Sequence, residues 1–167
     1  RAGRRTPLTN AQLGIVKEDI VDFTSVVARL SETSDLTTES AGTMIGRFAA
    51  INDVASYEYE KLASSVLKVG VNSMATESDI ANVSLQISSM GNIAGMTAEQ
   101  IVGLAGGMAS VGVAPELSRS VVTQTFTKID NAIRDSGEEL ERFASLAGVT
   151  ADEFKAMVAA GDFFEHA

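Results

Sequence analysis

GNIAGMTAEQIVGLAGGMASVGVAPELSRSVVTQTFTKI, residues 91–129, interrupts a helical pattern twice with the same grammar. Gly95-Met96-Thr97 and Gly112-Val113-Ala114-Pro115 each set a glycine at a helix end, an apolar residue after it, and a helix-start residue next. Glycine accepts the left-handed conformation that closes a helix, the apolar residue folds back on the helix just ended, and Thr or Pro opens the next. The stretch therefore predicts short helices that reverse direction at tight turns.

Downstream, Pro115 opens a helix with apolar positions Leu117, Val122, Phe126, Ile129 and Ile133, closed by Asp135-Ser136-Gly137. Glu138-Glu139 then start a helix carrying Leu140, Phe143 and Leu146, with acid side chains where the helix dipole favours them. Gly148-Val149-Thr150 repeats the turn, and Thr150 with Glu153 forms a capping box leading into Phe154, Met157 and Val158. Thr97 with Gln100 forms a similar box before Ile101, Leu104, Met108 and Val111.

Upstream, Thr76 and Asp79 resemble a capping box ahead of Ile80, Val83, Ile87 and Met90. Gly70 reads as the stop of a helix that begins near Ser56 and carries Tyr59, Leu62, Val66 and Val69. A helix from Thr37 through Ala41, Met44 or Ile45, Phe48 and Ile51 ends near Asn52-Asp53. The first helix is capped by Thr9 or Asn10, with the stripe Leu13, Val16, Ile20, Phe23, Val27 and Leu30. That stripe is shorter than the three or four heptads a coiled-coil seam needs, so burial in the chain's own bundle is preferred. The glycine turns at 70, 95, 112 and 148 are unequally spaced, which argues against a solenoid. Strand-like alternation is not sustained, and the fold class is all-α: a compact irregular bundle of about eight short helices joined by Gly-containing turns.

Composition bounds the rest. The chain has 167 residues, enough for a substantial core, no cysteine, and a net charge of −9. Aromatic residues make up 5% and tryptophan is absent, so the core must be built from small and medium side chains. Arg1, Arg4 and Arg5 are concentrated in a basic segment, 1–8, read as disordered, so the rest of the chain is more acidic still. An acidic body repels phosphate backbones and disfavours direct nucleic-acid binding. No run reaches the roughly 18 apolar residues of a membrane span; the nearest, Ile101–Pro115, is uncharged but rich in Gly and Ala.

Residues that could carry chemistry are few. His166 stands one residue from the end of the sequence, in a segment, 161–167, read as truncated or frayed together with Phe163 and Phe164. Glu138, Glu139 and Glu141, and likewise Asp152 and Glu153, fall at helix starts, where acids are expected on stability grounds. Gly103 and Gly107 form a GxxxG pattern, read first as close packing within the bundle, with contact between copies and membrane insertion as alternatives. The glycines match no phosphate loop. The sequence supplies no catalytic residue, cofactor-binding residue or metal ligand to nominate, and no cofactor.

The wording of residues 91–129 also resembles the core region of phage tail tape-measure proteins. The likeness lies in Gly91, Gly95, Thr97, Ala98, Glu99, Ile101, Leu104, Ala105, the Gly112-Val113 turn, Pro115-Glu116 and Phe126-Thr127-Lys128-Ile129. It continues through Glu139–Ala144 and Ala147–Phe154 and reaches back to about Leu13. This resemblance implies a structural, non-enzymatic role: a helical module, residues 9–160, of a protein that fills the tail lumen, sets tail length during assembly and leaves ahead of the DNA. It implies other copies of the chain, the tail tube protein and tail assembly chaperones as partners, the host cytoplasm during assembly and the virion afterwards, and membrane contact during infection. The alternatives are a soluble helical interaction module unrelated to phage and a membrane-active segment.

Overall fold

The computed structural model describes residue 15 and residues 17–160. Among them are eight α-helices: α1 (Ile20–Thr33), α2 (Thr38–Asn52), α3 (Tyr59–Asn72), α4 (Glu77–Ile93), α5 (Ala98–Ser110), α6 (Pro115–Asp135), α7 (Glu138–Ala147) and α8 (Ala151–Ala160). Short 3-10 turns, Lys17–Asp19 and Ser56–Glu58, lead into α1 and α3. No strand occurs among the described residues, as the sequence pattern predicts.

Three of the four glycine turns, at 95, 112 and 148, are where the sequence puts them. Gly95, Gly112 and Gly148 have φ of 76°, 79° and 72°. In each, the residue after glycine donates its N–H to the carbonyl five residues back: Met96 to Gly91 (2.9 Å), Val113 to Met108 (3.0 Å), Val149 to Ala144 (3.0 Å). This is the Schellman arrangement, and it satisfies carbonyls that a helix end leaves unpaired. Met96 is buried, while Val113 and Val149 pack partly buried on the helices they fold back on. Asn52-Asp53-Val54 uses the same device without glycine: Asp53 has φ 52° and Val54 N–H donates to Ala49 O at 3.0 Å. Aspartate tolerates the left-handed region better than most side chains.

Helix starts follow the predicted caps. The Thr37 hydroxyl accepts from Ser40 N–H, and Thr76 from Asp79 N–H, each at 3.1 Å. At Thr97 the box is reciprocal: Gln100 N–H donates to Thr97 Oγ1 (3.3 Å), and Thr97 N–H to Gln100 Oε1 (2.8 Å). Thr150 and Glu153 repeat it, at 3.3 Å and 2.8 Å.

Several boundaries and faces depart from expectation. Helix α1 begins at Ile20, preceded by a 3-10 turn; the expected cap at Thr9 or Asn10, with Leu13 and Val16, lies outside the described residues. Gly70 does not stop α3, which runs to Asn72. The Glu77 side chain lies across it, and would have to shift to admit a Cβ there. The αL residue closing α6 is Ser136 (φ 50°), not Gly137. Ile51, Val111, Leu117 and Leu146, assigned to apolar stripes by spacing, are exposed. In α5 and α7 the buried face instead includes Val102, Ala105 and Ala144, small side chains that let neighbouring helices approach.

Helix α4 is the centre of the bundle, packing against α2, α3, α5 and α6. Its core face carries Ile80, Val83 and Ile87 together with buried Ser84 and Ser88. Asn52 Nδ2 donates to Ser88 Oγ at 2.7 Å, tying the end of α2 to α4. The packing against α5 is close enough that a Cβ on Gly91 would come within 2.5 Å of Ile101 Cγ1. Helix α1 buries Phe23, Val26, Val27 and Leu30 inside this bundle, with the Phe23 and Tyr59 rings edge to face at 6.1 Å between centroids.

Buried residues form two clusters. The larger draws on α1 to α5 and reaches Val122 in the first half of α6. The smaller comprises Ile129, Ala132, Leu140, Ala144 and Phe154, from the second half of α6, α7 and α8. Phe126 touches both. At about 1.5 Å per residue, the 21-residue α6 spans about 31 Å and is the strut that joins them.

Candidate interaction surfaces

Helices α3 and α5 run side by side in the same direction. Lys61 and Glu99, near their starts, form an ion pair at 2.6 Å, and further along Val69 lies against Gly106. The hydrogen bond from Lys61 holds the Glu99 carboxyl below its ordinary range, and the same bond raises the Lys61 ammonium. Because α3 and α5 are parallel, the α3–α4 loop and the α5–α6 turn lie at one end of the bundle. That end presents Val71, Met74, Val111 and Leu117, of which Met74 is 92% exposed.

Helix α5 separates the two uses of glycine that the GxxxG pattern conflated. Gly103 and Gly107 face outward, with nothing within 4 Å of a Cβ at either position. Their expected role in close packing within the bundle is therefore corrected. Gly106, between them, performs it: a Cβ there would overlap Val69 Cγ1. Spacing alone marked the pair; only the position of α3 shows which glycine is covered.

A third surface is an apolar cleft of about 520 Å³ between the α4–α5 turn, the middle of α6 and the last turn of α8. Met90, Ile93, Phe126, Ile129 and Val158 line it, with Asp130 at its edge. Asp130 is paired with Arg134 at 2.6 Å.

The acidic clusters sit as helix-start residues. Glu138 pairs with Arg142 one turn on, at 2.8 Å. Glu153 is engaged by the N–H and hydroxyl of Thr150, and the backbone donor holds its carboxyl below the ordinary range. Among the described residues, no group of three or more His, Asp or Glu side chains is placed to hold a metal ion. His166, Phe163, Phe164 and the Arg1–Arg5 cluster lie outside the described residues. No single helix among the described residues is long and apolar enough to cross a membrane; α5 and α6 reach that length only together, and they meet at 115°.

These surfaces are apolar or acidic faces on a helical scaffold. No curated protein and no solved structure matches the chain. The sequence does match one family, described as phage-related minor tail protein, over residues 9–166. That match covers nearly the whole chain, so the protein belongs to the phage-related minor tail protein family and is a component of the phage tail.

Proposed function

We propose that residues 9–160 are a folded helical module of a tape-measure protein, structural and not enzymatic, housed in the tail lumen and passed out ahead of the genome. The observation that carries this reading is the folding back of α4, α5, α6, α7 and α8 at Gly95, Gly112, Ser136 and Gly148. The tail family and the wording of residues 91–129 supply the tape-measure context.

A ruler needs axial length. A continuous helix over residues 9–160 would span about 230 Å at about 1.5 Å per residue. The chain forgoes most of it, since its longest helix has 21 residues and packs beside α4 and α7. The measuring part of such a protein therefore lies in other segments, and this module supplies a contact body. Its apolar end at Val71, Met74, Val111 and Leu117 suits partners: other copies, the tail tube protein, or assembly chaperones in the host cytoplasm.

Deleting residues 9–160 in frame from the parent phage tests the reading directly. Tail length measured by electron microscopy should stay nearly unchanged while tail yield falls. Shortening in proportion to about 1.5 Å per deleted residue would return the segment to the ruler.

Membrane contact at infection is a second reading, favoured by the combined length and apolarity of α5 and α6. It requires α5 to leave the core, because Ile101, Val102 and Ala105 are fully buried. Leakage from liposomes should then appear only under conditions that unfold the bundle, and be reduced by Leu104→Glu; no leakage from either protein under those conditions counts against it.

A further inference from the structure

Helix α8 ends on the rim of an open apolar site. The cleft of about 520 Å³ is walled by Met90, Ile93 and Ala94 at the end of α4, by Phe126 and Ile129 on α6, and by Val158, Ala159 and Ala160, where α8 ends. Ile93 is 76% exposed although apolar neighbours stand across the gap. Open apolar walls are unfavourable in water, so an apolar group tethered beside them is drawn in.

The chain carries such a group at the right place. Beyond Ala160 come Gly161, Asp162, Phe163 and Phe164. Glycine is the residue type at which the chain reverses after α4, α5 and α7. The two aromatics follow three and four residues after Ala160, which itself lines the cleft, so they are within at most about 14 Å of extended chain. An apolar cavity of about 150 Å³ accepts a benzene ring, and this cleft therefore has room for both phenyl groups. Asp162 and Glu165 flank the pair and can stay in water while the rings are covered. Asp130, at the cleft edge, is already paired with Arg134 at 2.6 Å and makes no demand for a cation from the occupant. The remaining residues outside the described set precede Lys17 and adjoin α1, which contributes no wall among the described residues.

We propose that Phe163-Phe164 docks into this cleft within the same chain, covering Ile93 and filling the space between the end of α4, the middle of α6 and the end of α8. Seated there, the pair ties the end of α8 to the α4–α5 turn and closes the cleft to other partners.

Methyl NMR on the 167-residue chain tests the seat. The ring protons of Phe163 or Phe164 should give Overhauser contacts to the Ile93 methyl groups. Replacing both rings, Phe163→Ser with Phe164→Ser, should shift the Ile93 signals and leave those of Ile51, exposed on α2, unmoved. Chymotrypsin reads the same contact from the other side. Ile93→Asp, at an exposed position, should speed cleavage after Phe163 and Phe164 at least about tenfold, without new cuts in α1 to α6. Val111→Asp, exposed at the other end of α5, should leave the rate unchanged. Ile93 signals that do not respond to loss of the rings, or cleavage equally fast with and without Ile93→Asp, overturn the proposal. Contacts or protection that fade on dilution assign the cleft to a second copy of the chain and overturn it equally.

Discussion

The body, α1 to α5, and the arm, α6 beyond Phe126 with α7 and α8, are made of the same helix punctuation but are held together very differently. Of the largest fully buried side chains, Phe48, Leu30, Met44, Ile45, Leu62, Ile80, Ile87, Ile101, Val66, Val83 and Val102 all belong to the body, and Phe154 alone to the arm. Turn grammar fixes where a chain reverses; the depth of burial fixes how firmly the reversed pieces stay put. By that measure the body should unfold as one cooperative unit and the arm should open below the global free energy.

The most severe way to probe this difference is to remove the central ring of each region. Phe48→Ala should cost about 3–5 kcal/mol and shift the whole thermal transition followed by circular dichroism. Phe154→Ala removes a ring of the same size from a cluster of five residues, so its effect should be confined. Hydrogen exchange should quicken across α7, α8 and the end of α6, while amides of α2 and α4 keep their protection. Equal loss of protection in α4 on Phe154→Ala would erase the distinction and make the chain a single cooperative unit.

Glycine substitution gives a smaller contrast. At Gly106 a new methyl group would strike Val69 Cγ1 on α3, so Gly106→Ala should destabilise the body by about 1–3 kcal/mol through overpacking. At Gly137, with no positive φ and nothing within 4 Å, Gly137→Ala should stay within about 0.5 kcal/mol. Denaturant midpoints at constant slope distinguish these outcomes. A neutral Gly106→Ala would mean that α3 and α5 slide apart cheaply and that the body is looser than its burial implies.

Much of this architecture was legible in the sequence because its signals are local. A Gly followed by an apolar residue and a capping Thr or a helix-opening Pro engages partners within six residues, and the turns at 95, 112 and 148 form as read. Gly70 shows the limit: it lies inside α3, which runs on to Asn72, although a glycine there reads locally as a stop. Asp53 shows the converse, a left-handed cap hidden because the residue is not glycine. The faces of α5 and α7 were misassigned where exposed Val111 and Leu146 outscored buried Ala105 and Ala144, since hydrophobicity ranks a large side chain above the small one that close packing demands. The surfaces followed the same rule: the GxxxG spacing was visible, but which glycine it buried depended on α3, and the cleft and the apolar end arise from helices distant in sequence.

The mildest contrast lies in two capping boxes of the same design. In the body, Thr97 is engaged by the neutral amide of Gln100; in the arm, Thr150 is engaged by the carboxylate of Glu153. The Glu153 carboxyl is held below its ordinary range by the Thr150 N–H, so its stabilisation is fully present above the unfolded value of about 4.3 and is lost as pH falls through the lower folded value. The Gln100 box has no proton to gain. The body does carry Glu99, depressed by Lys61, but that pair sits at the surface, where such pairs contribute little. Acidification from pH 6 to pH 3 should therefore fray the start of α8 before the start of α5, read as earlier loss of exchange protection at Phe154 than at Ile101. Glu153→Gln keeps a side chain able to cap and removes the titration, so it should abolish the difference in pH dependence between the two helix starts. Unchanged acid fraying of α8 in that variant would locate the arm's weakness in its thin packing and not in its cap.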